Sequence, residues 1–269
     1  MTPCDLHTHM AGWRNLQFRQ ESSEQKYYFM QQKGIIICGN TWILKGAEKM
    51  RNDAEKWLKK YGEEFLRSIG IKRGQRVLDF GCGSGNYTIP AALIVGKEGK
   101  VYALDKESQG YWPSEGLNKL IRRAKLRRLE NIVVMKTSGE LKIDLEDESV
   151  DAVLLHDVLH YYYFPKKEDR RKLLREIYRV LKPNGFISFY PGDPEVFRNY
   201  SEIETIKREI EDAKFHLESE YTGMIIHEDV IQKGHVLKYR KESDQDVSYK
   251  ARFKELGSDL LKDDDLNVL

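Results

Sequence analysis

Apolar positions set the first element. Met50, Ala54, Trp57, Leu58, Tyr61, Phe65, Leu66 and Ile69 recur at helical spacing, which predicts a helix from about Lys45 to Ile69 with Gly70 as its stop. Beyond Gly70 the period changes. Gln75–Phe80 (QRVLDF) reads as a strand that runs into a glycine loop, and Tyr87–Val95 as a helix. Lys100–Leu104 is a second strand, Leu117–Leu129 a helix, Ile132–Lys136 a third strand and Val150–His156 a fourth. Glu168–Leu181 is an amphipathic helix with Leu173, Leu174, Ile177, Val180 and Leu181 on one face. Pro183-Asn184-Gly185 makes a turn into a fifth strand, Phe186–Tyr190. Helix Glu202–Ala213 and strands Lys214–Tyr221 and Gly234–Tyr239 complete the pattern. Strands that alternate with helices predict an α/β fold, a parallel, doubly wound sheet.

The flanks differ from this body. Residues 1–44 read as an irregular, polar N-terminal extension, residues 45–240 as the folded domain, and residues 241–269 as a charged, flexible tail with a short helix around Ala251–Leu261. No repeat and no Pro- or Ser-rich linker interrupts them.

Composition narrows the class. The chain has 269 residues, 40% apolar and 33% charged, enough for one sizeable domain with additions. A net charge of +2 is too small to imply nucleic-acid binding. The three cysteines, Cys4, Cys38 and Cys82, form neither a CxxC nor a His/Cys zinc spacing, so no disulfide framework and no metal site are expected from them. The longest apolar run is far short of a membrane span, and the N-terminus lacks a basic-then-apolar leader pattern. These features point to a cytoplasmic protein.

The candidate chemistry begins after the first strand, at Asp79-Phe80-Gly81-Cys82-Gly83-Ser84-Gly85. Glycines let a backbone take positive φ and approach a ligand closely. The helix N-terminus that follows presents free N–H groups, at the carboxyl end of the strands where open α/β sheets bind ligands. The spacing is GxGxG rather than the GxGxxG of dinucleotide binders, because position 86 is Asn. Asp105 ends the second strand (VYALD), where a carboxylate can accept both hydroxyls of a ribose.

VLDFGCGSG, then ALD, then VDAVLLHDVLHYY, then LLREIYRVLKPNGFISFY, in that order, resembles the class I S-adenosylmethionine (SAM) dependent methyltransferases. The resemblance covers roughly residues 45–240. It is nearest to the branch similar to ubiquinone- and menaquinone-biosynthesis methyltransferases. It implies a Rossmann-like seven-stranded sheet with the last strand antiparallel and helices on both faces, and SAM as cofactor. By the same resemblance Gly81, Cys82, Gly83 and Gly85 would line the methionine part of SAM, and Asp79 would orient the loop and reach the methionine amino group through water. Asp105 would bind the ribose with Lys106 beside the adenine. Ser138, Gly139 and Glu140 occupy the adenine-contacting loop after the third strand, where many relatives have Gly-Asp-Ala. His156 would sit next to the sulfonium and the acceptor.

Methyl transfer from a sulfonium is an in-line displacement, for which the protein mainly supplies proximity and alignment. A base is needed only where the acceptor must lose a proton. The segment after the fourth strand, Leu155 to Tyr163, lacks the Asn/Asp-Pro-Pro-Tyr/Phe element of amino-group methylases and the Pro-Cys nucleophile of cytosine C5 enzymes. His156, Asp157 and His160 are the candidate catalytic residues, with cofactor contact or packing as the alternative for each. Tyr161, Tyr162 and Tyr163 are either pocket wall or core. Trp42, Trp57 and Tyr61 are lid candidates, and Tyr221, Met224 and His227 candidates for further pocket wall, with core packing as the default for all six.

Other signals carry less. Asp5-Leu6-His7-Thr8-His9 matches a metal-ligating run, but no apolar strand precedes it and no later ligand set supports it. Lys119, Arg122, Arg123, Lys125, Arg127 and Arg128 make a basic helix, read as a solvated face rather than a phosphate contact. Trp112 and Pro113 follow Asp105 on the adenine side. The expectation is therefore a SAM-dependent methyltransferase acting on a small-molecule acceptor and releasing S-adenosylhomocysteine. A protein or RNA methyltransferase, or a catalytically silent SAM-binding scaffold subunit, is the alternative.

Overall fold

Each central strand divides its side chains between two separate cores. In β1 (Arg76–Phe80) Val77 faces one and Leu78 the other, and in β4 (Val150–His156) Ala152 and Leu154 face the first while Val153 and Leu155 face the second. That period of two, buried on both sides, is what a parallel sheet covered by helices requires. The structure is a computed structural model and describes residues 49, 51–106, 116–192, 200–227 and 229–242. The elements below belong to a compact unit that begins at Asp53.

The remaining strands are β2 (Lys100–Lys106), β3 (Ile132–Thr137), β5 (Leu181–Tyr190), β6 (Phe215–His227) and β7 (Val230–Lys241). They form one seven-stranded sheet in the order β3-β2-β1-β4-β5-β7-β6. β1 to β5 are mutually parallel, and β7 runs antiparallel to both β5 and β6. This is the Rossmann-like sheet expected, with its antiparallel last strand.

The first core lies under α1 (Gly62–Ser68), α2 (Thr88–Val95) and α3 (Gly116–Leu126). The second lies under α4 (Lys167–Val180) and α5 (Tyr200–Asp212), where Leu173, Leu174, Ile177, Ile206 and Ile210 are buried. α2 is buried almost all round, Leu93 excepted, as its sequence TIPAALIV requires. A buried Arg170–Glu209 pair ties α4 to α5, with both side chains 3% exposed and two contacts at 2.6 and 2.9 Å.

Three elements depart from the pattern reading. The first predicted helix is π-wound over Trp57–Tyr61, a one-residue insertion that apolar spacing does not reveal. The turn Pro183–Gly185 lies within β5, where pairing jumps from Val150↔Leu181 to Ala152↔Phe186 and Asn184 takes φ 62°. β6 and β7 form a hairpin well beyond Lys214–Tyr221 and Gly234–Tyr239. Gly223 faces Gly234 in the ladder, so residues that look like breaks in sequence are partners in the hairpin. The N-terminal extension, the metal-like run at 5–9, Trp42, Trp112, Pro113 and the tail beyond Glu242 lie outside the described residues.

Candidate active site

Strand parity puts a carboxylate where it has to be buried. Asp79 shares its face with Val77, under α2, and is 3% exposed. The Thr88 hydroxyl, at the first residue of α2, donates to it at 2.5 Å. Burial pushes the Asp79 carboxyl up to about 7, against the Thr88 hydrogen bond and with help from the nearby charge of Asp105.

The loop that follows is held by backbone. The amides of Gly81 and Cys82 donate to Leu104 O at 2.8 and 3.1 Å, and Gly85 N donates to Cys82 O at 2.9 Å. Gly81, Gly83 and Gly85 all have positive φ, but their surroundings differ. A Cβ at Gly81 would meet Val158 Cγ2 at 2.7 Å, and one at Gly85 would meet Leu120 Cδ1 at 2.4 Å. A Cβ at Gly83 would meet nothing within 4 Å, so Gly83 faces open space. Two glycines let the protein pack on itself, and the middle one leaves room for a ligand. Cys82 is buried, and burial raises its thiol far above the usual range, so it packs and does not ionise.

Asp105 closes the loop from β2. Its Oδ2 accepts from Gly83 N at 2.5 Å and its Oδ1 from Lys106 N at 2.7 Å. Desolvation raises its carboxyl above the ordinary value, against these two donors and Lys106. Lys106 pairs with Thr137 across β2 and β3, and its side chain lies beside Gly139. Ser138, Gly139 and Glu140 are exposed, and Thr137 Oγ1 braces their turn by accepting from Gly139 N at 3.1 Å. The structure therefore brings Asp79, the glycine loop, Asp105, Lys106 and residues 138–140 to the carboxyl ends of β1, β2 and β3.

His156 ends β4 on the face of Asp79. It is 6% exposed, its Nε2 lies 2.9 Å from Ser188 Oγ, and its Nδ1 has no hydrogen-bond partner among the described residues. The Tyr87 ring meets it edge-on at 4.2 Å and Phe65 lies at 5.7 Å. Burial lowers its imidazole to about 3, so it is neutral.

Asp157 turns the chain at φ 55°, with its amide donating to Tyr190 O at 2.9 Å. Its Oδ2 lies 2.8 Å from His227 Nε2 and its Oδ1 3.7 Å from His160 Nε2. The His160 ring stacks at 4.8 Å from Tyr163. Tyr163 is 58% exposed, and partial burial of its phenol, then the charge of Asp157, Tyr162 and Asp105, push it up to about 12. Tyr161 lies under the Arg170 guanidinium at 4.2 Å, and Arg170 Nη1 donates to Phe164 O and Pro165 O, so this segment is fixed by the buried ion pair.

A polar network joins the hairpin tip to the loop. Asp229 accepts from Asn86 Nδ2 at 2.9 Å and from Lys119 Nζ at 2.8 Å. Arg123 donates to Ser84 O, Ser84 Oγ and Asn86 Oδ1. Lys119 and Arg123 thus serve the loop, whereas Arg122, Lys125 and Arg128 on the same run are exposed. Trp57 is fully buried and its Nε1 donates to Asn86 O at 2.8 Å, while Tyr61 is exposed. Thr88 and the Asn86–Asp229 contact were missed as site residues by sequence reasoning, and His227 was named only as pocket wall. Their partners lie from 9 to 143 residues away, and no local motif links them.

A polar cavity of about 170 Å³ at the opposite, amino ends of the strands is lined by Asp151, Lys182, Lys238 and Arg240. Three of its cations are paired, Lys182 with Asp151, and Lys238 and Arg240 with Glu218. Among the described residues no group of three His, Cys, Asp or Glu side chains could hold a metal ion, and no helix is long and apolar enough to cross a membrane.

Known proteins resemble parts of this chain. Residues 78–189 match the family described as "Methyltransferase domain". A demethylmenaquinone methyltransferase of Geobacillus stearothermophilus is 31% identical over 140 residues, 51% of this chain and 54% of that protein. A probable cobalt-precorrin-6B C(15)-methyltransferase (decarboxylating) of Saccharolobus solfataricus is 36% identical over 91 residues, 34% of this chain and 43% of that protein. The chain thus spans about half the length of the curated relatives it matches. The crystal structure of a SAM dependent methyltransferase from Aquifex aeolicus superposes with a TM-score of 0.51 at 26% identity, over 67% of this chain and 89% of that one. The glycine loop and the central strands thus lie in the segment, residues 78–189, that matches the methyltransferase domain family.

Proposed function

We propose that the chain transfers a methyl group from SAM to a small-molecule acceptor and releases S-adenosylhomocysteine. The observation that carries this reading is the Asp105–Gly83 contact, a carboxylate turned back onto a glycine amide at the one loop position that faces open space.

The residues fit SAM part by part. Asp105 offers a carboxylate to a ribose diol, and Lys106 with Ser138, Gly139 and Glu140 lies where the adenine would follow. Asp79 offers a buried carboxylate to the methionine ammonium. Gly83, with no neighbour over it, lets the methionine backbone approach. When bound, SAM supplies an activated methyl group. The protein's own part is to hold the donor and acceptor in line and to exclude water. The rings of Phe65, Tyr87 and Tyr221 pack around His156 and one another at the carboxyl end of β4.

A small acceptor is supported by two things. The relatives named above are named for small-molecule substrates. The basic helix α3 also spends Lys119 and Arg123 on the loop and the hairpin tip rather than presenting them outward. Titration with SAM and S-adenosylhomocysteine, followed by transfer of labelled methyl to small quinols and to bulk RNA or protein, tests the reading. Label on macromolecules alone would overturn the small acceptor.

A further inference from the structure

His227 was expected only as pocket wall, yet it makes the shortest contact to Asp157, at 2.8 Å against 3.7 Å for His160. The contact is an ion-pair distance between a ring nitrogen and a carboxylate, which favours the form with a proton on Nε2. Nδ1 then carries the lone pair, and no described residue engages it. The His227 side chain is 14% exposed, buried enough to be fixed and open enough to be reached.

Position links this pair to the cofactor loop by two routes. Asp157 directly follows β4, and its neighbour Val158 packs on Gly81. Asp229, two residues past His227, holds Asn86 at the end of the glycine loop. The charged and titratable groups around the imidazole are Asp157 and His160 from the loop after β4 and Tyr190 from β5, whose ring is 6.2 Å away.

We propose that His227, held by Asp157, is the general base that removes a proton from a hydroxyl on an aromatic acceptor. This rests on the methyltransferase reading above. Asp157 is a positioning residue: it fixes the tautomer and ring orientation and stabilises the imidazolium that forms. The acceptor O–H bond breaks and its proton goes to His227 Nδ1. The oxygen lone pair attacks the methyl carbon, and the carbon–sulfur bond breaks with its electrons left on sulfur. The sulfonium becomes the neutral thioether S-adenosylhomocysteine, and the proton passes from His227 to solvent. The Tyr190 ring, edge-on to the imidazole at 6.2 Å, and the half-exposed Tyr163 ring stacked beside His160 suit a planar acceptor.

The test uses the full chain with SAM and two acceptors. Naphthol is un-ionised at neutral pH, and pentafluorophenol is already ionised. His227→Asn is expected to lower transfer to naphthol about 10²–10³-fold, the range of a general base, while transfer to pentafluorophenol and SAM affinity are spared. Asp157→Asn, which tolerates the left-handed backbone, is expected to show the same selective loss. Equal losses on both acceptors, or no loss on naphthol, would overturn the base assignment. Wild-type protein that binds SAM and methylates neither phenol would overturn the hydroxyl class alone. Wild-type protein that does not bind SAM would overturn the methyltransferase reading itself.

Discussion

Asp105 Oδ2 accepts a hydrogen bond from the amide of Gly83 across 22 residues of sequence, at 2.5 Å. The contact closes the end of β2 onto the glycine loop and places a desolvated carboxylate beside open space. A nucleoside that enters must exchange that bond for its own hydroxyls. The two residues therefore report on ligand entry separately from the packing that holds the loop.

The glycines separate accordingly. Gly85→Ala has to strain φ and push into Leu120, and should destabilise the fold by about 2–4 kcal/mol. Gly83→Ala meets no neighbour and should cost about 1–2 kcal/mol, with its main effect on SAM affinity. Denaturant melts and ligand titration of both variants check this. Equal destabilisation would contradict the difference in their surroundings.

Asp79 gives a pH dependence. The native carboxyl is raised to about 7 from an ordinary 3.8, so the folded protein keeps a proton that the unfolded chain sheds. Its contribution to stability is full below the ordinary value and is lost as pH rises through about 7. Binding of the SAM ammonium needs the ionised form, so affinity should strengthen over the same rise. Asp79→Asn should flatten both profiles, as measured by melts and titration across pH.

His156 acts in the opposite sense. Its imidazole is lowered to about 3, so the folded protein refuses a proton that the unfolded chain takes up below about 6.5. Stability should fall as pH falls from about 6.5 toward 3. His156→Gln can still bond Ser188 and does not titrate. It should remove part of that acid loss in urea melts, whereas an unchanged slope would show that His156 is protonated in the native state.

Arg170 and Glu209 test how the segment after β4 is held. Arg170→Ala leaves Glu209 buried without its partner and should cost about 3–5 kcal/mol. The double substitution Arg170→Met with Glu209→Leu should recover most of that loss. Denaturant melts give both values, and a double variant no better than the single one would place the cost in the Phe164 and Pro165 contacts instead.

The parts legible in the sequence were those written in local pattern. Val77 and Leu78 alternate into two cores, α4 shows its apolar face every three or four residues, and the DFGCGSG run announces its own turn. Position 105 was legible because a strand end fixes where its side chain points. The π-turn at Trp57–Tyr61 and the long β6–β7 hairpin were not, because one inserted residue and a ladder carried by backbone leave no apolar period. The His227–Asp157 and Asn86–Asp229 contacts arise from folding a hairpin 70 and 143 residues away in sequence back over the loop, and neither residue type announces its partner.

The central claim is that the glycine loop and Asp105 form a SAM site. Calorimetric titration of wild-type protein and Asp105→Ala with S-adenosylhomocysteine, SAM and NAD tests it most directly. The account predicts saturable binding of the first two by wild type, none of NAD, and affinity lower by about ten- to a hundredfold in Asp105→Ala as charge-assisted ribose bonds are lost. Unchanged affinity in the variant, or binding of NAD alone, would contradict it.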